Sequence, residues 1–346
     1  MIKKPMQLLL QTSPFLRRGI TTPRLMSEVV IATIPVIFAA CWYFGLSALL
    51  LIFASVAGAM LTEWFFTPKK SSTQPSNSLL DGSGLLTGIL LGLTLPPGMA
   101  MWMAFLGGVV GISIGKLVMG GLGQNMFNPA LVGRAFLQAA FPTAITTWNP
   151  PATSPGSLES FTAIRESNLA APFMQSSTDA VTTASPLGLM KFEHEPTPWF
   201  DLFIGNTAGS LGETCAIVII VMGVIMAIRR DFDWRIPVSI LLAVAAFSAI
   251  PWFIKPELYP TPLGMLLSGG LLFGAVYMAT DPVTSPVTPK GAWIFGASIG
   301  LLVVLIRLWG GLPEGVMYAI LLMNAATPLI ERIAQPRVFG RGRSAV

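Results

Sequence analysis

Long apolar runs separated by short polar stretches make up most of the chain, and each run approaches the ~20 residues a helix needs to cross a bilayer. Ten can be marked, at residues 27–45, 46–66, 81–97, 99–117, 127–142, 211–228, 236–254, 263–279, 291–309 and 315–331, each bounded by charges, proline or glycine. The pattern predicts an all-α polytopic membrane protein of about ten transmembrane helices. Residues 143–200 are the exception: they hold no spanning run and are rich in Thr, Ser and Pro. Loops of such length are functional or disordered.

That loop divides the chain into a stub (1–26), a first five-span half (27–142), a loop region reaching to 210, a second five-span half (211–331) and a tail (332–346). An odd number of spans per half requires any repeat between them to be inverted across the membrane. The sequence carries such an echo. Thr94-Leu95-Pro96-Pro97 precedes Gly120-Gly121-Leu122, and Thr280-Asp281-Pro282-Val283 precedes Gly310-Gly311-Leu312 at nearly the same separation. Inverted repeats typify secondary transporters, whose sites lie at the repeat interface beside interrupted helices.

Charge orients the spans. With the N-terminus on one side, that side holds Lys3, Lys4, Arg17, Arg18, Arg24, Lys69, Lys70, Lys116, Arg229, Arg230, Arg235, Lys290, Arg332, Arg337, Arg341 and Arg343, which are sixteen of the 21 basic residues. The other side holds Arg165, Lys191 and Lys255, while Arg134 and Arg307 fall inside spans. Positive-inside bias places both termini in the cytoplasm and residues 143–200 outside. The formal charge of +5 is read the same way, as loop orientation and not as a sign of nucleic acid.

Composition agrees: 53% hydrophobic, 11% charged and a mean hydropathy of +0.69 exclude an ordinary soluble domain. Cys41 and Cys215 sit in apolar runs and are too few for an iron–sulfur cluster, and His194 is the sole histidine, so no metal site is expected. The apolar run after Lys3 and Lys4 is short and broken by Gln11 and Pro14, so no cleavable signal peptide is expected. No acid sits at the centre of a span, so a proton relay wholly inside this chain is not expected. Asp281 and Glu213 lie at span ends, where an ion-path role competes with that of an ordinary end residue.

The most informative chemistry is in Asp179-Ala180-Val181-Thr182-Thr183-Ala184-Ser185-Pro186-Leu187-Gly188. On physical grounds this is a hydroxyl-rich turn: Asp179 can bond nearby amides, and Pro186 biases Ser185 toward an extended backbone with its hydroxyl accessible. Asp, two residues, Thr, one residue, Ala, then Ser or Thr also resembles the acceptor motif at which a flavin transferase attaches FMN through a phosphoester. Three further strings accompany it: Phe127-Asn128-Pro129-Ala130, Gly209-Ser210-Leu211-Gly212-Glu213-Thr214, and Met278-Ala279-Thr280-Asp281-Pro282-Val283-Thr284-Ser285-Pro286. Together they resemble the D subunits of Rnf complexes and, more distantly, the B subunits of sodium-pumping NADH:quinone reductases. The likeness runs from the stub through the tenth span. The chain lacks the longer N-terminal extension usual in the B subunits. The acceptor in these families is most often Thr; here it is Ser185.

The resemblance implies a membrane subunit of a redox pump that relays electrons between ferredoxin and NAD, coupled to movement of sodium ions or protons across the bacterial inner membrane. It implies FMN on Ser185, with Asp179, Thr182 and Thr183 in the recognition segment. It also implies a second, non-covalent flavin such as riboflavin, for which Asn128 is a lining candidate. No residue is assigned a catalytic role. NAD, ferredoxin and iron–sulfur clusters would belong to partner subunits, since no dinucleotide fold or cluster ligand set is legible here. A secondary transporter and a purely structural membrane protein are the competing classes; neither would carry a covalent flavin.

Overall fold

The computed structural model describes residues 21–67, 78–151, 157, 161–162, 164–172, 183–193, 195 and 197–335. Asp179, Thr182 and His194, with most of the basic stub and tail, lie outside the described residues. Among the described residues all regular structure is helical. The first half comprises α1 (Thr22–Phe44), α2 (Leu46–Phe66), α3 (Ser83–Leu93), α4 (Met101–Ile112, continued by a π turn at Ser113–Leu117) and α5 (Pro129–Ala140). After a short helix α6 (Trp199–Ile204), the second half comprises α7 (Ala216–Arg229), α8 (Arg235–Ile254), α9 (Pro262–Leu267), α10 (Leu271–Phe273, continued by a π turn at Gly274–Met278), α11 (Pro289–Trp309) and α12 (Val316–Ile333).

Local sequence explains the starts. Asn128, Thr261 and Thr288 each accept a backbone N–H at the start of α5, α9 and α11, and in each case a proline occupies the first helical position. Proline has no N–H to lose there and its φ already suits a helix. α1 begins at Thr22, five residues before the sequence pattern suggests, because Pro23 falls harmlessly in its first turn. Gly45, at φ 72, joins α1 to α2 without a longer loop.

Five of these helices, α1, α2, α8, α11 and α12, are long and apolar enough to cross a membrane. The other expected spans are short or interrupted. At 1.5 Å per residue the 11 residues of α3 rise about 17 Å, against the ~30 Å of a hydrocarbon core. The run 263–279 is broken at Ser268-Gly269-Gly270, where Gly269 takes φ 64. The run expected from 211 becomes helical only at Ala216. Residues 205–215 are instead non-helical and fold back into the bundle, with the Leu211 and Gly212 amides donating to the Leu95 and Leu93 carbonyls at 3.1 and 2.6 Å. Apolar periodicity is blind to such breaks. Non-helical backbone at this depth is tolerated when protein covers it.

Small residues set the tightest packing. A Cβ on Gly58 of α2 would lie 2.1 Å from the Phe105 carbonyl of α4, and one on Gly108 of α4 would lie 2.3 Å from the Ser55 carbonyl of α2. In the second half Gly296 and Gly300 of α11 meet the Ile236 and Ile240 carbonyls of α8 at 2.7 and 2.8 Å on the same test. α2 and α4 in the first half, and α8 and α11 in the second, thus press backbone to backbone, as membrane helices do through small residues. Replacing Gly108 with Leu is expected to force α4 off α2 and lower the melting temperature of detergent-purified protein, whereas Gly311→Leu, with nothing within 4 Å, should leave it unchanged.

The described loops gather at two ends. At one, Arg229 bonds Glu28 at 2.9 Å, Thr327 donates to the Thr284 carbonyl, and Asp231, Asn125 and Asp281 line one cavity. At the other, the Arg165 amide donates to Ser47, Asn168 donates to the Pro97 and Met99 carbonyls, and Lys191 donates to the Leu312 carbonyl. Thr94–Pro97 therefore lies at one end and Thr280–Val283 at the opposite end. The Gly-Gly-Leu strings extend the echo. Lys116 precedes Gly120 by four residues and lies in the π turn at Ser113–Leu117, and Arg307 precedes Gly310 by three.

Candidate functional site

Ser185 is extended (φ −68°, ψ 155°), as Pro186 dictates, and its hydroxyl accepts the Gly188 N–H at 3.1 Å, capping a single turn at Pro186–Gly188. It is not the accessible loop hydroxyl that the sequence suggests. Ser185 is 7% exposed, while Thr183 and Ala184 beside it are exposed. The loop is held down by the Thr183 amide, which donates to the Trp148 carbonyl at 2.9 Å, and by Leu187 and Met190, both buried. Of the residues expected at the site, Ser185 and Thr183 come together; Asp179 and Thr182 lie outside the described residues.

Ser185 and Thr183 line a cavity of about 520 Å³ between the two halves. Its walls include Trp148 from the loop region, Arg134 of α5, Phe273 of α10 and Glu314 between α11 and α12. The volume lies within the ~300–1,000 Å³ of small-molecule and cofactor pockets. Arg134, Glu213 and Glu314 form a bridge across it: Arg134 Nη1 lies 3.6 Å from Glu213 Oε1 and its Nη2 bonds Glu314 Oε2, while Ser210 donates to Glu213 at 2.8 Å. Glu213 is thus no ordinary solvated end residue. It is 8% exposed and joins the folded-back segment to α5.

Asn128 lies at the other end of the bundle. Its Oδ1 caps α5 through the Ala130 amide at 3.0 Å, and its Nδ2 donates to the Met278 carbonyl at 3.1 Å, tying the start of α5 to the π turn that continues α10. It lines a cavity of about 60 Å³ with Asn125, Tyr277 and Asp281. That is well below the volume of cofactor pockets, so this chain alone does not fit a flavin there. A second flavin at Asn128 would need its walls moved or completed by a partner subunit. Asp281, half-buried, receives the Val283 N–H and Thr284 hydroxyl at 3.3 Å each, and burial pushes its carboxyl up to about 6. Burial likewise raises Asp231.

Two buried charge clusters were not legible as such in the sequence. Lys116, counted above as a loop cation, is 1% exposed; its Nζ donates to Glu63 at 2.5 Å and to Ser83 at 2.6 Å. Arg134 and Arg307 were visible only as cations inside apolar runs, which by itself marks a residue needing a partner. Which acid answers Lys116 and Arg134 depends on contacts 53 or more residues apart, Lys116 with Glu63 and Arg134 with Glu314.

The sequence profile of the NQR2, RnfD, RnfE family matches residues 9–340. The chain is 39% identical over 343 residues to the D subunit of the ion-translocating oxidoreductase complex of Yersinia pseudotuberculosis serotype I, covering 95% of this chain and 97% of that one. It is 38% identical over 348 residues to the D subunit of the proton-translocating ferredoxin:NAD(+) oxidoreductase complex of Clostridium ljungdahlii, covering 96% of each. The D subunit of the ion-translocating oxidoreductase complex of Stutzerimonas stutzeri is 39% identical, over 92% of each chain.

Proposed function

The chain belongs to the NQR2, RnfD, RnfE family, and from that premise we propose that it is the flavin-bearing D-type membrane component of an ion-translocating ferredoxin:NAD oxidoreductase complex. It relays electrons between ferredoxin and NAD with coupled movement of sodium ions or protons. The observation that carries the flavin assignment is the position of Ser185: the hydroxyl at the acceptor place of the motif lies on the wall of a 520 Å³ cavity between the halves. A B-type quinone-reductase component is less well supported, because relatives described as D subunits match this chain end to end. A secondary transporter would leave Ser185 unmodified. Ultraviolet-excited fluorescence of the denatured polypeptide on a gel separates the readings, since only a covalent flavin survives denaturation.

When bound, FMN would supply the acceptance and release of electrons. The residues of this chain do the positioning. Ser185 would tether the phosphate, and the Thr183 amide bond to Trp148 fixes the tethering segment. Trp148 and Phe273 offer apolar wall to a planar ring, and the Arg134–Glu314 bond holds α5 to the far wall and so fixes the width of the cavity. Partner subunits would bring NAD, ferredoxin and the clusters, and a flavin transferase would make the phosphoester.

In this reading the two five-element halves cross the membrane ten times as inverted repeats, five passages being made by broken or short helices. Support comes from the paired breaks at opposite ends, the matching glycine contacts in α2–α4 and α8–α11, and the Lys116/Arg307 correspondence. Both termini are cytoplasmic and residues 143–200 face outward, in the inner membrane. Reporter fusions near Ala170 and near Phe232 are expected to give opposite answers; the same answer from both would sink the topology.

A further inference from the structure

Arg307 is a buried cation that the flavin site does not use. It is 2% exposed, its Nη1 and Nη2 donate to the Met265 and Ser268 carbonyls at 2.6 and 2.9 Å, and its Nε is buried with no hydrogen-bond partner. Its counterpart in the first half, Lys116, ends on a carboxylate supplied by α2. α8, which packs on α11 as α2 packs on α4, carries no Asp or Glu from Arg235 to Ile254. Glu213 and Glu314 act on Arg307 from a distance but are bonded to Arg134.

Beside Arg307 is a cavity of about 210 Å³ walled by Leu187, Met190, Lys191, Tyr259, Leu308 and Trp309. This volume is about seven water molecules' share of liquid. Lys191 is a second cation whose partners, among the described residues, are carbonyls, those of Gly310 and Leu312. Arg134, Arg307 and Lys191 outnumber Glu213 and Glu314 by one, and the acids next in sequence to Lys191 and the rim, Glu193, Glu195 and Glu257, are exposed. The cavity lies at the loop-bearing end of the bundle, and its rim is apolar and exposed: Trp309 is 60% and Leu258 43% exposed, and the Tyr259 and Trp309 rings lie 6.4 Å apart. Tyr and Trp beside a cation mark the level of lipid headgroups.

We propose that this cavity binds the phosphate of an anionic phospholipid headgroup, answered by Arg307 and Lys191, with the acyl chains lying over Leu258 and Trp309. A guanidinium suits phosphate oxygens, and a buried one with an unanswered N–H gains most from an anion. The site adjoins the flavin cavity, sharing Pro313 as a wall, but takes its cations from Arg307 and Lys191, which do not line that cavity, and it does not depend on the flavin assignment.

The test uses the purified complex, delipidated in detergent and titrated with phosphatidylglycerol, phosphatidylcholine or inorganic phosphate, with bound lipid read by native mass spectrometry. Wild type is expected to retain about one phosphatidylglycerol per copy of this chain in preference to phosphatidylcholine. Lys191→Ala should weaken that retention about fivefold, and Arg307→Gln should weaken it more. If Arg307→Gln fails to assemble, Lys191→Ala decides. Unchanged retention in Lys191→Ala, or equal retention of both lipids, overturns the proposal. So does displacement of phosphatidylglycerol by equimolar inorganic phosphate, which would make this a free-anion site.

Discussion

Replacing Ser185 by Ala should remove all covalent flavin fluorescence from the denatured chain and reduce flavin-dependent electron transfer in the assembled complex to background, while the protein still inserts and assembles. Loss of the hydroxyl also removes the cap on the Gly188 amide, at a cost of about 1 kcal/mol. That is too little to unfold a bundle, so loss of flavin and loss of fold can be told apart. Ser185→Thr keeps the nucleophilic oxygen and the cap and should preserve both properties. Accessibility alone would choose a different residue: Thr183 is exposed and Ser185 is 7% exposed. An FMN-sized mass on Ser185 in the loop peptide would therefore mean that motif position selects the acceptor and that the transferase acts before the Pro186–Gly188 turn packs down. The same mass on Thr183 would sink the assignment.

The sequence was most informative where one local rule suffices. The expected starts at 127, 263 and 291 fall within two residues of the observed ones at Pro129, Pro262 and Pro289, where cap and proline act within one turn. The runs at 27–45, 46–66, 236–254, 291–309 and 315–331 became the five long helices, whereas 99–117 and 211–228, both longer than 315–331, did not, so run length alone does not decide a continuous helix. Interrupted elements were less legible. Ser268-Gly269-Gly270 breaks a run whose hydropathy stays high, and residues 205–215 fold back to pair with Leu93 and Leu95 more than a hundred residues earlier. At the site, the motif pointed to Ser185 and the segment around it, and the structure places Ser185 on a cavity wall. The cavity could not be read, because its walls come from α5, the loop region, α10 and the α11–α12 connection. Asn128 was expected as a lining residue for a second flavin; in the structure both ends of its amide are bonded to backbone.

The largest effect on stability is expected from Glu63→Ala. Lys116 is 1% exposed and Glu63 fully buried, so the deletion leaves an ammonium in a low-dielectric interior with a Ser83 hydroxyl as its remaining partner in the cluster. Removing one member of a buried pair typically costs about 3–5 kcal/mol, because the other charge stays desolvated and unanswered. Asp81, in the turn just before α3, also lies in the field of Lys116. It offers a partial substitute, so Glu63→Ala combined with Asp81→Asn should be worse than Glu63→Ala alone. Glu63→Leu combined with Lys116→Met removes both charges and fills the space with apolar groups, and should recover most of the lost stability, since isosteric apolar replacement of a buried pair is often neutral. Thermal melting of the detergent-purified complex reads all three. If Glu63→Ala melts with wild type, Lys116 is reaching water or another anion and the buried pair is not what holds α2, α3 and α4 together. If the double apolar variant assembles and melts normally but no longer moves ions, the pair serves transport, and its burial between α2 and α4 is the constraint that transport has imposed on the fold.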